Sequence, residues 1–289
     1  MGMFKTEIKQ RLFYGFSLGI LTILILNEGG ILLLLATMWV AASGLREFYR
    51  LVRAEGGRTF DLVGYPLAAI MIIIAFLAET SQNFTYESAG LLSTVYILLV
   101  SIANIVRAFQ DKPVYKISEI SITFFGIFLT AGLLSYVFKL HPLGSFLFPE
   151  KGNYLIFVPM IGAWAYDSAA FFSGKYFGKN NYLSTVSKKT WEGTVGGLLG
   201  SSFGMTLFAY MSGMGTGTFQ NLFFWWLTGL ILGLVAQLGD LAFSVLKREK
   251  LMKDYGASIP GHGGILDRMD SFLFVLPASY YLIKLFFIG

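Results

Sequence analysis

The residue types best suited to chemistry are concentrated at positions 237–270, between two apolar segments. The first half of this stretch carries four polar residues at helical spacing: Gln237, Asp240, Ser244 and Lys247. On a helix, that spacing places all four on one face. Carboxylate and hydroxyl oxygens are hard ligands that suit Mg²⁺ better than softer metals. This face predicts a metal site, and a polar contact between two helices is the alternative.

Glycines surround a histidine in the second half of the stretch, and charged residues follow. Such glycines indicate a backbone that adopts positive φ or approaches another group closely. Loops of this type present amides to phosphate, although the Walker A sequence is absent here. Aspartates at a helix start alone usually serve as caps, but together with these neighbours they favour a binding site. The candidates are His262, Gly263, Gly264, Asp267, Arg268 and Asp270.

A second candidate segment lies upstream. Asp167 falls within an apolar segment, where a charge costs at least about 2.5 kcal/mol and needs a partner or a wet cavity. Four further candidates precede the next apolar segment: Lys188, Lys189, Thr190 and Glu192. Adjacent lysines just below a membrane contact anionic lipid headgroups by charge alone. Because a helix start adds positive potential, a phosphate clamp is the other interpretation.

The composition predicts an all-α, polytopic membrane protein. Hydrophobic residues make up 55% of the 289 and charged residues 13%, against about 25% charged in soluble domains. The absence of cysteine excludes disulfides, thiolate metal sites and Cys nucleophiles, and two histidines argue against zinc chemistry. In such a protein, the net charge of +5 reflects basic loops rather than nucleic-acid binding.

Nine membrane spans are predicted, the first two of them short and joined by a tight turn at 27–30. With the N-terminus in the cytoplasm, 19 of the 22 Lys and Arg residues lie on the cytoplasmic side. We expect one transmembrane domain, with N-terminal helices over 1–150 and catalytic helices and loops over 151–289. The predicted spans are 12–27, 30–45, 62–78, 88–106, 117–138, 154–174, 194–212, 222–242 and 270–288.

Intramembrane carboxylates, loop lysines and a glycine loop together suit a phosphate-bearing substrate with Mg²⁺. A lipid substrate would have access from the bilayer. The residues alone indicate a membrane enzyme of phosphate or nucleotide chemistry. The alternative is an ion or anion transporter that uses the intramembrane aspartates.

The order and spacing of these residues resemble the signature of phosphatidate cytidylyltransferases, the CDP-diacylglycerol synthases. The likeness covers nearly the whole chain and is strongest over 163–271. It extends to the Asp167 segment and to Lys188-Lys189-Thr190-x-Glu192-Gly193. The matching signature reads Ser244-x-x-Lys247-Arg248, Lys253-Asp254 and Pro260-x-His262-Gly263-Gly264-x-x-Asp267-Arg268-x-Asp270.

The resemblance implies that CTP and phosphatidate react to give CDP-diacylglycerol and pyrophosphate, with Mg²⁺ and a neighbouring K⁺. It also implies a homodimer in the cytoplasmic (inner) membrane of a prokaryotic cell, with the site facing the cytoplasm. The implied metal ligands are Asp240, Ser244 and Asp267, and the implied catalytic residues are Asp240, Asp267, Lys247 and Arg248. The implied substrate-binding residues are Asp167, Lys188, Lys189, Thr190, Glu192, His262, Gly263, Gly264, Arg268 and Asp270.

The chain departs from the family pattern at two places. Phe243 stands where the family usually has Glu, beside the proposed metal site. Val186-Ser187 stands where it usually has Ser-Pro, before the two lysines. The first change is expected to weaken ion binding, and the second removes a rigid turn.

Overall fold

The computed structural model describes residues 15, 17–54, 56–80, 87–110, 114–150, 152–181, 189–215, 219–249 and 263–288. Within these ranges the fold is all-α, as predicted from the composition. Asn181 and Thr190 form an isolated antiparallel β-bridge. The chain therefore builds its framework from helices.

Ten α-helices lie in the described part of the chain. The first five are α1 (Ser17–Glu28), α2 (Gly30–Arg53), α3 (Asp61–Thr80), α4 (Glu87–Phe109) and α5 (Ile117–Ile127). A π-helical segment, Phe128–Gly132, continues α5, and a 3₁₀ segment, Gly152–Phe157, precedes α7. The last five helices are α6 (Val137–Leu147), α7 (Val158–Phe177), α8 (Trp191–Met211), α9 (Phe219–Glu249) and α10 (Leu266–Phe287).

Six helical segments are long and apolar enough to cross a membrane, namely Gly30–Arg53, Asp61–Ala78, Ile117–Leu147, Tyr154–Phe177, Phe219–Arg248 and Leu266–Phe287. The other three predicted spans coincide with helices that are shorter or less apolar. Two of these contain the short apolar segments Ser17–Glu28 and Thr94–Phe109, and the third is α8. A membrane protein is thus confirmed, whereas the count of nine and the orientation of the N-terminus stay predictions.

Helices α2 and α9 run well past the apolar windows that predicted them. Helix α2 has 24 residues and continues to Arg53, because its last turns bury one face that includes Phe48, Tyr49 and Leu51. Helix α9 has 31 residues and continues to Glu249. The predicted break between α1 and α2 is present, and Gly29 and Gly30 both have positive φ.

The N-terminal bundle, defined as α2, α3, α5 with its π segment and α6, is packed by aromatic rings set into glycine notches. The rings of Phe48 and Tyr49 lie against Gly126, and the Tyr49 hydroxyl fills the space beside Gly64. Both rings are buried, and Phe48 also packs on Phe125 at a centroid distance of 5.8 Å. These large side chains keep the helix backbones apart.

In the C-terminal bundle, α7–α10, the Tyr166 ring also lies against a glycine, Gly197, but many contacts are between glycines and small residues. A Cβ atom at Gly200 would lie 2.2 Å from the Cβ of Ala169, and one at Gly229 would lie 2.5 Å from the Ser201 carbonyl oxygen. The buried Ser201 hydroxyl lies 2.7 Å from the Gly229 carbonyl and 3.0 Å from that of Gly162, so it ties three helices together. Close backbone approach of this kind is typical of membrane helices with small residues at the interface.

Candidate active site

A cleft of about 440 Å³ opens among α7, α8 and α9. Its polar walls carry Asp167 from α7, Lys189 and Thr190 from the segment before α8, Thr194 from α8 and Asp240 from α9. Residues predicted from separate parts of the sequence therefore meet at one place. Three helices supply the cleft because the C-terminal bundle brings their backbones close together.

The start of α8 is built around Thr190. Its hydroxyl accepts a hydrogen bond from the Gly193 amide at 3.1 Å and caps the helix, as the sequence predicted for a helix start here. Gly174 and Gly178 of the preceding segment face this cap, and a Cβ at Gly178 would lie 2.9 Å from the Thr190 hydroxyl oxygen. The absence of side chains at Gly174 and Gly178 thus allows the end of α7 to approach the start of α8 closely.

Glu192 lies in the first turn of α8. The nearby backbone N–H groups of Glu192 itself, Lys179 and Asn180 favour the charged form of its carboxyl and lower the pKa of that group. The Asn180 side chain donates to Glu192 Oε1 at 3.5 Å. A charged carboxylate at a helix start stabilises the helix, so Glu192 supports the wall that carries Thr190.

Two charges meet across the cleft where Lys189 forms an ion pair with Asp240. Both side chains are 27% exposed, so water or a ligand can reach them. The charge of Asp167 interacts with those of Asp240 and Lys189. Asp167 lines the same cleft, which meets the requirement that a charge within an apolar segment face a partner or a wet cavity.

The predicted polar residues of α9 all lie on that helix, and they contact two different neighbours. The side-chain amide of Gln237 donates to the hydroxyl of Thr194 on α8 at 3.0 Å. Lys247 pairs instead with Asp267 of α10, Nζ to Oδ1, at 3.0 Å. Ser244 lies between them and is half-buried. The face therefore links the cleft to the start of α10.

The Lys247–Asp267 pair is much less accessible than Lys189–Asp240, with side chains 13% and 7% exposed. The other carboxylate oxygen of Asp267 accepts a hydrogen bond from the Gly264 amide at 3.0 Å. Asp270, one turn further along α10, is buried, and its backbone lies against Gly239, the residue before Asp240. Because each ion pair includes a residue of α9, the two pairs form one cluster of charged residues along that helix.

The glycines of the predicted loop have different physical requirements. Gly263 has φ 85°, a conformation that favours glycine. Gly264 lacks a side chain because two carboxylates crowd it: a Cβ there would lie 2.6 Å from Glu47 Oε2 and 3.0 Å from Asp267 Oδ2. Both glycines were singled out correctly in the sequence, but the close neighbours of Gly264 are protein groups.

Glu47 is the residue near the site that sequence reasoning missed. It is buried within α2, and its two oxygens accept hydrogen bonds from the amides of Ile265 at 3.0 Å and Leu266 at 2.9 Å. An acidic residue inside a membrane span was a usable signal, as it was for Asp167. Glu47 was overlooked because it lies beyond the apolar window predicted for the second span.

The remaining predicted site residues divide into two groups. Arg248 and Arg268 are exposed, at the end of α9 and the start of α10. Lys188 and His262 lie outside the described residues, as do Lys253, Asp254 and Val186-Ser187.

Phe243, where a carboxylate was expected, is 0% exposed and meets Phe274 of α10 edge-on at a centroid distance of 6.2 Å. Position 243 is therefore part of the helix core.

The carboxylate and hydroxyl oxygens near the cleft are the groups that could bind Mg²⁺. Among the residues that the structure describes, no three Asp, Glu or His side chains lie close enough together to hold a metal ion. Mg²⁺ usually takes one or two carboxylates and completes its coordination with water and substrate phosphates. Asp240 and Asp267 supply such carboxylates, and Ser244 follows Asp240 by one turn of α9. The donor chemistry fits Mg²⁺ that binds together with a phosphate-bearing substrate.

Comparisons with known proteins agree with this assembly. The profile of the cytidylyltransferase family matches residues 9–286. A phosphatidate cytidylyltransferase of Synechocystis sp. is 31% identical over 84% of this chain and 85% of its own length. One of Bacillus subtilis is 29% identical over 97% and 99%, and a chloroplastic one of Arabidopsis thaliana is 30% identical over 96% and 74%. These relatives give the transporter alternative no support.

Proposed function

The chain belongs to the cytidylyltransferase family, and we propose that it transfers the CMP moiety of CTP to phosphatidate, giving CDP-diacylglycerol and pyrophosphate. One observation carries this proposal. The ion pairs Lys189–Asp240 and Lys247–Asp267 bring cations and carboxylates from separate helices together, beside a cleft within a membrane protein. Such a cluster suits two phosphate-bearing substrates, one of which is a lipid.

The reaction is a direct displacement at phosphorus. An oxygen of the phosphatidate phosphate attacks the α-phosphorus of CTP. The bond from the α-phosphorus to the oxygen that bridges to the β-phosphate breaks, and pyrophosphate leaves with that electron pair. Catalysis of phosphoryl transfer depends mainly on positioning and on stabilising charge. The protein therefore has to bring two anions together and offset their repulsion.

The basic residues of the cluster supply that compensation. Lys189 lies at the wall of the cleft and is accessible, so it binds a substrate phosphate in exchange for Asp240. Lys247 and the exposed Arg248 and Arg268 do the same near the start of α10. Thr190 and the amides at the start of α8 add further donors. Lys188, Glu192, His262, Gly263 and Gly264 complete the substrate site in this proposal.

Mg²⁺, with K⁺ beside it, is proposed to be held by Asp240, Ser244 and Asp267. When bound, Mg²⁺ neutralises phosphate charge and orients the triphosphate. Asp167 and Asp270 are proposed to contribute to substrate binding, since Asp167 lines the same cleft as Asp240 and Asp270 lies one turn after Asp267 on α10. The protein's own contribution is to hold these oxygens and ammonium groups in fixed relation.

The location of the site follows from the same proposal. The basic residues cluster on the side assigned to the cytoplasm, where CTP is present. We therefore propose a multi-pass protein of the prokaryotic cytoplasmic membrane, with the cleft facing the cytoplasm. A homodimer is proposed by family likeness alone.

The test uses purified protein in mixed micelles with radiolabelled CTP, phosphatidate and Mg²⁺. We expect label in the organic phase as CDP-diacylglycerol, together with stoichiometric pyrophosphate. Asp267→Asn should abolish this product, because it removes the negative charge that pairs with Lys247. Asp61→Asn is the matched control, since Asp61 pairs with Arg53 in the N-terminal half. Wild-type protein that labels no lipid phosphate would refute the proposed activity.

A further inference from the structure

Glu47 connects two distant parts of the chain. It lies in α2 of the N-terminal bundle, 218 residues before Ile265, and only 1% of its surface is exposed. Each of its carboxylate oxygens accepts one backbone amide, Oε1 from Ile265 and Oε2 from Leu266. These amides stand at the start of α10, where the first amides of a helix need acceptors from outside it.

The amide that precedes them is taken by the site itself. Gly264 donates to Asp267 Oδ2 at 3.0 Å, so three consecutive amides are shared between Glu47 and Asp267. The other Asp267 oxygen meets Lys247. The position of Asp267 relative to Lys247 therefore depends on the backbone that Glu47 holds.

The packing around Glu47 leaves little freedom. A Cβ at Gly44, one turn earlier on α2, would lie 3.1 Å from Leu266 Cδ2 and 3.4 Å from Thr130 Cγ2. Leu266 and Ile265 are both buried. On the other side, Gly264 lies against the Glu47 carboxylate itself. Helix α2 is thus in direct contact with the first residues of α10.

A carboxylate is the side chain that this place requires. It accepts hydrogen bonds at both oxygens, and its charge favours a helix start. Glutamine has nearly the same shape but only one accepting oxygen. Its NH₂ group would face an amide that is itself a donor, which leaves a buried donor without an acceptor. Replacing Glu47 by Gln therefore removes a hydrogen-bond acceptor and a negative charge while the side-chain volume hardly changes.

We infer that Glu47 is a positioning residue for the proposed cytidylyl transfer: through the backbone at 264–266 it sets Asp267 opposite Lys247. This inference rests on the proposed function. Glu47 touches neither substrate in this scheme and acts only through the loop. A misplacement of about 1 Å at a reacting centre can cost about 100-fold in rate. The N-terminal bundle thereby controls a site whose other described groups lie in the C-terminal bundle.

The main test is Glu47→Gln in the full-length protein. We expect kcat for CDP-diacylglycerol formation to fall by about 10- to 100-fold, whereas KM for phosphatidate changes little. Hydrogen exchange at the amides of 265 and 266 should accelerate. The matched control is Glu119→Gln, because Glu119 also accepts a backbone amide at a helix start, that of Lys116 at 2.9 Å on α5. The control should leave kcat and the exchange at 265–266 unchanged.

Two further variants approach the same contact from its two sides. Gly264→Ala inserts a methyl group against Glu47 Oε2 and should lower kcat. Glu47→Asp keeps the charge but withdraws the carboxylate from the amides of Ile265 and Leu266, so it should also lower kcat and accelerate exchange at 265 and 266. These variants decide the matter if Glu47→Gln does not fold, and unchanged kcat and exchange in Glu47→Asp overturn the inference.

Two further outcomes separate the inference from the proposed function. Unchanged kcat and unchanged exchange in Glu47→Gln overturn the positioning role, even when the wild type makes CDP-diacylglycerol. Wild-type protein without that product refutes the proposed function. In that case, exchange at 265–266 in Glu47→Gln still shows whether Glu47 holds the loop, and unaltered exchange overturns that as well.

Discussion

A ring enters a glycine notch in both bundles, as Tyr166 does at Gly197 in the C-terminal one, but contacts of glycine with small side chains and backbone of a facing helix are found mainly in the C-terminal bundle. In the N-terminal bundle, rings such as Phe48 and Tyr49 enter glycine notches. In the C-terminal bundle, glycines such as Gly200 let one helix rest directly on another. Close approach of these helices brings Asp167 of α7 and Asp240 of α9 to one cleft, together with Lys189 from the segment before α8. The difference explains why the cleft lies in the C-terminal half.

Each half also carries an ion pair, and these differ in accessibility. Arg53 and Asp61 are 43% and 35% exposed at a separation of 2.6 Å. Lys247 and Asp267 are 13% and 7% exposed at 3.0 Å. Water weakens the first pair, whereas the second lies in surroundings where an unpaired charge is costly. The Arg53–Asp61 pair is shorter, but the loss of one partner is expected to cost less stability there than in the Lys247–Asp267 pair.

The largest expected effect comes from breaking these pairs in parallel. Lys247→Met keeps the length of the side chain but leaves the Asp267 carboxylate buried without its ammonium partner. We expect kcat/KM for CTP to fall by at least about 100-fold and stability to fall by about 3 kcal/mol. Arg53→Met should cost under about 1 kcal/mol and leave turnover unchanged. Equal losses in both variants would contradict the contrast between the bundles.

Position 243 gives the next largest effect. Phe243→Glu would place a carboxylate where Phe243 packs edge-on against Phe274, fully buried. We expect roughly 3 kcal/mol or more of lost stability in detergent, and only about 1 kcal/mol for Phe243→Leu. Thermal unfolding of both variants is the measurement. A stable Phe243→Glu protein with an altered Mg²⁺ requirement would instead show that this position reaches the metal site.

Glycine packing in the C-terminal bundle is tested by a size exchange. Gly200→Ala adds a methyl group 2.2 Å from Ala169 Cβ, which should cost about 1–3 kcal/mol because the facing helix cannot yield. Adding Ala169→Gly returns the volume and should recover most of that loss. Unfolding midpoints of the two single variants and the double variant measure the coupling. If the stability losses of the two single variants simply add in the double variant, the two positions are not coupled, and α7 and α8 accommodate the added methyl group without a clash at Ala169.

The sequence predicted the helical class, the membrane character and most residues of the cluster, because each rests on a local signal. Asp167 was found as a charge in apolar surroundings, and Asp240 by its helical spacing from Gln237, Ser244 and Lys247. Gly263 was found because a special backbone conformation has few substitutes. What could not be predicted is pairing across the fold. Nothing local indicates that Lys189 meets Asp240 or that Lys247 meets Asp267.

The structural surroundings of Phe243 and Glu47 could not be predicted from the sequence. Phe243 was weighed as a missing metal ligand because the family pattern places a carboxylate there, yet the helix turns that side chain toward Phe274. Glu47 was overlooked because it lies beyond the apolar window predicted for the second span. Its partners, backbone amides 218 and 219 residues away, could not be predicted because backbone amides have no sequence signature.

The smallest expected effect lies in the N-terminal bundle and concerns one hydroxyl. The Tyr49 hydroxyl donates to the Thr123 carbonyl at 3.2 Å, and a Cβ at Gly64 would lie 2.2 Å from the same oxygen. Tyr49→Phe should therefore cost only about 1 kcal/mol and leave kcat unchanged. It should also relieve Gly64→Ala, because the next ring atom is 3.0 Å from the added methyl. Unfolding of the four proteins in this cycle measures the relief. If Tyr49→Phe gives no relief, the notch at Gly64 is closed by backbone contacts, as in the C-terminal bundle, and the two halves differ less than their side chains suggest.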